Sequence, residues 1–231
     1  LIARWQLVGF IHGVMNTDNT SISGETIDYG PCAFMDAYNP DTVFSSIDQN
    51  GRYRYRHQPM MMKWNLARFA ETLLPLFDPS QEKAVAMAEE SIRVFPGIYQ
   101  THWIDGMRKK LGLFTAEEND SELITGLLDW MYQHQTDYTN TFRALTEPVL
   151  PQDAMFRESS FMEWHSRWQQ RLARQPQPAS ESLQLMQMNN PAIIPRNHRV
   201  EEALTAATEQ GDYTLLQRLL AALAQPYENK S

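Results

Sequence analysis

Apolar residues recur at helical spacing through most of the chain, and that rhythm gives the first picture of the fold. From about Ile2 to Met15, Ile2, Trp5, Val8 and Ile11 make one apolar face and Leu7 and Phe10 a second. This predicts a deeply buried helix that ends where the polar run Asn16-Thr17-Asp18-Asn19 begins. Residues 16–38 keep no period and contain Gly24 and Gly30-Pro31, so they read as a long loop with one short strand at Thr26-Ile27-Asp28. Long loops inside compact domains are often functional. Val43 to Ile47, the turn Asp48-Gln49-Asn50-Gly51 and Arg52 to Arg56 read as a β-hairpin, because Asn-Gly favours a turn with positive φ. It is expected to be the one substantial sheet element.

From Met60 onward helical periodicity dominates. The spacing predicts helices over Trp64–Leu76, Gln81–Leu113 with a break at Pro96-Gly97, Ser121–Gln133 and Tyr138–Leu145. After a proline-containing connection from Glu147 to Asp153, further helices are expected at about Ser160–Arg174, Ser180–Met188, Val200–Glu209 and Asp212–Ala224. Gln175-Pro176-Gln177-Pro178 reads as a surface linker. No repeat of fixed period is visible. The expected fold class is mainly α with a small β-hairpin element: loops and hairpin in residues 1–58, a helical region in 59–231.

Bulk properties narrow the function. A chain of 231 residues with 42% apolar content can bury a sizeable core. A net charge of −8 and a pI near 5.2 argue against a general binder of phosphate backbones, so nucleic acid is not an expected partner. The alternating Arg and Tyr of residues 52–56 read as solvent-facing Arg beside half-buried Tyr rather than as a stacking platform. The longest apolar runs, such as Ala221-Ala222-Leu223-Ala224, are far short of the roughly 20 residues a membrane span needs, so no membrane partner is expected. One cysteine, Cys32, cannot form an internal disulfide, and no secretory signal is visible, which makes a cytoplasmic location the default expectation. The helical pattern is already running at Leu1, which is not Met, so the chain is expected to begin inside a longer one.

The residues that carry chemistry lie at 12–30. His12-Gly13-Val14-Met15-Asn16-Thr17-Asp18-Asn19 is followed nine positions after Asn19 by Asp28, in Ile27-Asp28-Tyr29-Gly30. Protein kinases place a His at the start of the catalytic loop, an Asp two residues later, an Asn five beyond that, and then an Asp-aromatic-Gly. Here His12, Asn19 and Asp28-Tyr29-Gly30 match, but Val14 stands where the catalytic Asp belongs. An amide oxygen and a carboxylate suit a hard cation such as Mg²⁺ or Mn²⁺ and leave positions for phosphate oxygens, so Asn19 and Asp28 are the candidate metal ligands and Asp28 the candidate contact to a bound nucleotide's metal. Asp18 is the carboxylate available to replace the missing base.

These two stretches, with Ser21-Ile22-Ser23-Gly24-Glu25 between them and Pro31 after, are similar nearly residue for residue to the signature of the selenoprotein O family. Trp64-Asn65-Leu66-Ala67-Arg68, Met107-Arg108-Lys109-Lys110-Leu111-Gly112, Asp137 to Arg143, Asn190-Pro191-Ala192 and Pro195-Arg196-Asn197 extend the likeness over essentially the whole chain. The resemblance implies a kinase-like fold that binds ATP in reversed orientation and transfers AMP to Ser, Thr or Tyr hydroxyls of protein substrates. By position it makes Asn19 and Asp28 ligands of Mg²⁺ or Mn²⁺ and Asp18 the base. It also implies that residues 1–231 are the C-lobe with a helical extension. The phosphate-holding N-terminal lobe of the same parent chain would precede Leu1, and this stretch alone would be inactive. Family members end in a Cys- or selenocysteine-bearing tail, whereas this chain carries only Cys32. A conventional kinase-fold phosphotransferase and a non-catalytic pseudokinase scaffold are the alternative readings.

Other conspicuous residues read as structural. His102 and His134 lack partners at zinc spacing, Met60-Met61-Met62 reads as filler at a helix start, and Trp164 and Trp168 mark a buried helix face. Glu117-Glu118 and Glu201-Glu202 read as solvated faces.

Overall fold

A computed structural model describes residues 1–147 and 149–228. Pro148, one of the prolines in the expected 147–153 connection, lies outside the described residues. The chain divides into two compact units, one formed by residues 1–32 and 40–104 and the other by residues 33–39 and 105–231. Its two-stranded sheet pairs β1 (Phe10–His12) with β2 (Cys32–Phe34). The Gly13 N–H donates to Pro31 O at 2.7 Å, so the strands run antiparallel with residue 13 opposite residue 31.

The first unit opens with α1 (Ile2–Leu7), which is much shorter than the helix expected over residues 2–15. Gly9 explains the difference. Its φ of 72° suits glycine at a helix end, its N–H closes onto Gln6 O at 3.3 Å, and the chain leaves the turn extended into β1. Apolar residues at 10 and 11 belong to a strand whose three residues are all buried. The strand expected at Thr26–Asp28 is absent: Asp28 has φ 53°, a left-handed conformation that no strand accommodates, and β2 starts four residues later.

The hairpin expected over 43–56 does not form. The Asp48 carboxylate accepts the N–H groups of Arg52 and Tyr53, both at 2.8 Å, taking the donors a second strand would use. Arg54 is not solvent-facing. Its guanidinium wraps onto Gly51 O, Asn50 O and Asp41. Tyr55 N to Thr42 O and Arg56 N to Pro40 O, each 3.0 Å, bridge the two flanks. Helices then follow with α2 (Gln58–Phe77), α3 (Gln81–Arg93) and α4 (Phe95–Lys110). The break between α3 and α4 falls at Val94, so that Pro96 sits in the first turn of α4, where its missing N–H has no partner to lose.

The second unit holds α5 (Asp120–His134), α6 (Tyr138–Ala144), α7 (Ser159–Ala173), α8 (Ala179–Asn189), α9 (Asn197–Gln210) and α10 (Thr214–Leu223), close to the periodicity-based boundaries. Trp164 and Trp168 are buried on one face of α7 as expected, with their indole N–H groups donating to Leu123 O and Leu111 O at 2.8 and 2.9 Å. Phe161 packs against Trp130 with ring centres 4.7 Å apart and planes tilted by 51°. Two expectations fail. Gln175 is buried rather than part of a surface linker, its amide bridging Gly112 O, Ser182 Oγ and the Phe114 N–H. Glu117 is not simply solvated: Arg174 grips it at 2.6 Å and holds its carboxyl below the usual range.

Candidate functional site

The candidate residues sit on two segments of the first unit, 12–20 and 26–31, and the sequence fastens these together. Gly13 can face Pro31 only because it lacks a side chain: a Cβ there would lie 2.0 Å from Pro31 O. Beside it the His12 ring, buried and stacked on Trp5 at 5.3 Å, makes a 2.9 Å hydrogen bond through Nε2 with Ile27 O. The Trp5 indole N–H donates to Thr26 Oγ1 at 2.9 Å. Helix, strand and both loops are thus joined at three consecutive levels. His12 holds the neighbour of Asp28 and is turned toward structure rather than toward a reacting group.

Asp18 and Asn19 share a single 3₁₀ turn over Thr17–Asn19. Asp18 is exposed. The Asn19 amide donates through Nδ2 to Val14 O at 3.0 Å, which leaves its carbonyl oxygen for a ligand. Asp28 is exposed on the second segment, its left-handed backbone setting the direction in which the carboxylate leaves the chain. Next to it, Gly30 gives room: an added Cβ would come within 3.2 Å of Asp28 Oδ1.

The amide oxygen of Asn19 and the carboxylate of Asp28 are hard donors of the kind a divalent cation such as Mg²⁺ takes. Among the described residues no group of three or more His, Cys, Asp or Glu side chains is arranged to hold a metal. Mg²⁺ is commonly held by that few protein oxygens, the rest of its octahedron being water and substrate phosphate.

The underside of the first segment is braced by α2. Gln58 is wholly buried, accepts the His12 backbone N–H at 2.9 Å and donates to Phe10 O at 2.9 Å, completing β1's inner edge. One helical face further on, Asn65 donates to Met15 O at 3.1 Å and to Thr20 Oγ1 at 2.8 Å. The Tyr53 hydroxyl donates to Asn16 Oδ1 at 2.6 Å from the loop before α2.

The family described as "Protein adenylyltransferase SelO" matches residues 1–224. The chain belongs to the SelO family. It is 60% identical over 227 residues to the "Protein nucleotidyltransferase YdiU" of Brevibacillus brevis, an alignment covering 98% of this chain and 46% of the relative. The proteins of the same name from Syntrophotalea carbinolica and Geobacillus kaustophilus are each 58% identical, over 230 and 227 residues, covering 100% and 98% of this chain and 47% of each relative. The chain therefore spans about half the length of the curated relatives it matches.

In this SelO chain the sequence pattern gave roles to His12, Asp18, Asn19 and Asp28 but none to Gln58, or to Asn65 beyond its place in the family-like stretch 64–68. Polar residues inside an amphipathic helix carry no periodic signal of their own. Asn65 stands where the α2 pattern calls for an apolar side chain, while Gln58 precedes the helix that the periodicity predicts. An open cavity of about 530 Å³ adjoins the 3₁₀ turn, walled by Leu66, Phe69, Phe95 and Ile98 and reached by Thr17 and Asn65. His102, exposed, lies on its rim.

Proposed function

We propose that the protein bearing this chain is a protein adenylyltransferase that moves AMP from ATP to Ser, Thr or Tyr hydroxyls, with this chain as the C-lobe of a kinase-like fold. In this reading an N-terminal lobe of the same parent chain grips the nucleotide, a role consistent with relatives about twice as long. Asn19 and Asp28 hold Mg²⁺ or Mn²⁺, which offsets the charge of the phosphates. Asp18 takes the proton of the acceptor hydroxyl as its oxygen bonds to the α-phosphorus. The bond from that phosphorus to the bridging oxygen breaks, and pyrophosphate leaves.

The observation that carries this reading is the fastening of the Asp18-Asn19 turn to the Asp28 segment through His12 and Gly13, with Val14 in place of a carboxylate two residues after His12. A kinase mechanism has no base at Val14; Asp18, exposed in the turn, is the carboxylate that takes its place. The test uses full-length protein, a protein acceptor, Mg²⁺, and ATP labelled at either the α- or the γ-phosphate. We expect α-label on protein, lost in Asp28→Asn, a substitution that keeps the left-handed backbone because Asn tolerates it. Transfer of γ-label alone makes the protein a kinase, and no transfer of either makes it a scaffold.

A further inference from the structure

We infer that Asn65 is a positioning residue for the proposed reaction, setting the backbone turn that presents Asp18. The inference rests on Asp18 being the base.

Asn65 is 3% exposed and lies on α2, yet its Nδ2 is spent entirely on the neighbouring loop. It donates to Met15 O at 3.1 Å and Thr20 Oγ1 at 2.8 Å, with Asn16 O at 3.5 Å beside them. Those contacts bracket the Thr17–Asn19 turn from both sides, so Asp18 is carried on a short bridge whose two ends share one anchor. The amide orientation is fixed by chemistry: exchanged, Oδ1 would face two carbonyl oxygens, neither of which can donate. Thr20 is itself ordered, because its hydroxyl donates to Asn16 O at 3.2 Å while accepting from Asn65.

The other half of the amide makes the case for function. Asn65 Oδ1 is buried, and among the described residues none donates a hydrogen bond to it. A buried acceptor left unsatisfied costs stability, and an apolar side chain of similar shape would avoid that cost on the α2 side. What such a residue would lose is the hold on Met15 and Thr20. Misplacing a reacting group by about 1 Å can cost on the order of 10²-fold in rate, so the hold matters to turnover beyond what its hydrogen bonds contribute to folding.

The test compares Asp18→Ala, Asn65→Ala, Thr20→Val and Thr20→Ser in the full-length protein, measuring kcat for α-label transfer, nucleotide affinity, and the melting temperature so that assays are run on folded protein. We expect Asn65→Ala to lower kcat by roughly 10- to 100-fold with nucleotide affinity within about twofold of the parent. Thr20→Val should lower kcat less, and Thr20→Ser, which keeps the hydroxyl, should recover most of that loss. If Asn65→Ala leaves kcat intact, or weakens nucleotide binding in step with kcat, the positioning role is overturned while the base assignment stands. Full turnover by Asp18→Ala overturns the base assignment itself, and this proposal with it, whatever Asn65 does.

Discussion

The two units bury polar groups for different ends. In the first, His12, Gln58 and Asn65 are buried, Gln58 spending its hydrogen bonds on the backbone of β1 and His12 and Asn65 theirs on the loops that follow, while Asp18 and Asp28 stay exposed. In the second, the buried Asp120 and Arg171 meet each other. Asp120 accepts from Arg171 Nε and Arg108 Nε, both at 2.7 Å, and from the Glu117 N–H at 2.8 Å. Burial alone would raise the Asp120 carboxyl, but the bonds from Arg171, the Glu117 backbone and Arg108 outweigh it and hold the group below the usual carboxylate range. One unit thus uses buried polarity to shape a loop that leaves its carboxylates free; the other uses it to close its own interior. Substitutions in the two should separate activity from stability.

The largest expected effect on stability is in the second unit. Asp120→Ala takes from Arg171, itself almost fully buried, its buried carboxylate and leaves it the half-exposed Glu117 at 3.1 Å, so the loss should approach the about 3–5 kcal/mol typical of breaking a buried pair from one side. Urea unfolding should show that loss, while α-label transfer per folded molecule is unchanged. Unaltered stability would mean that this network is not what closes the second unit. In the first unit Gly13→Ala should do the reverse. Its Cβ meets a backbone carbonyl that cannot swing aside, so the two fastened segments must part, at about 1–3 kcal/mol by the usual cost of overpacking. The Asp28 segment moves with Pro31, so transfer should fall further than stability does. A Gly13→Ala protein with full transfer would show that the fastening does not matter to the site.

The helices of both units were legible because burial of one face imposes a 3.6-residue period, and among the described residues nine of them, α2 to α10, fall near the positions that period predicts. What was not legible is local and polar. The run at 2–15 kept its apolar spacing through a helix and a strand alike, and only Gly9 marked the change. The Asn50-Gly51 pair does bend the chain, with Gly51 at φ 62°, but Asp48 claims the amides that a hairpin needs. The candidate carboxylates were readable from spacing because chemistry fixes residue type. The residues that hold their loops, Gln58 and Asn65, were not, because many side chains can brace a carbonyl and the pairing spans 45 or more residues. Buried charge was equally silent: nothing in Met107 to Gly112 marks Lys110 as an interior residue.

Lys110 offers the finest test of how the second unit tolerates polarity without pairing. Its side chain is 2% exposed, and the ammonium lies 4.1 Å from the centre of the Phe142 ring and 5.4 Å from that of Tyr138. Among the described residues no carboxylate forms a salt bridge with it, and burial lowers its pKa from 10.5 to about 7. The ring faces favour the cation, but by less than burial disfavours it. Because the folded pKa is the lower one, the unfolded chain binds more protons between about pH 7 and 10.5, and stability from this group rises with pH across that window. The slope approaches roughly 1.4 kcal/mol per pH unit where the folded amine is neutral and the unfolded one charged. Lys110→Met keeps the stem and removes the titration. Comparing the two proteins by urea unfolding at pH 7 and pH 9, the parent should gain stability relative to the variant as pH rises. Parallel pH profiles would mean that the amine keeps its proton inside the fold, with the two aromatic rings compensating for the water it has lost.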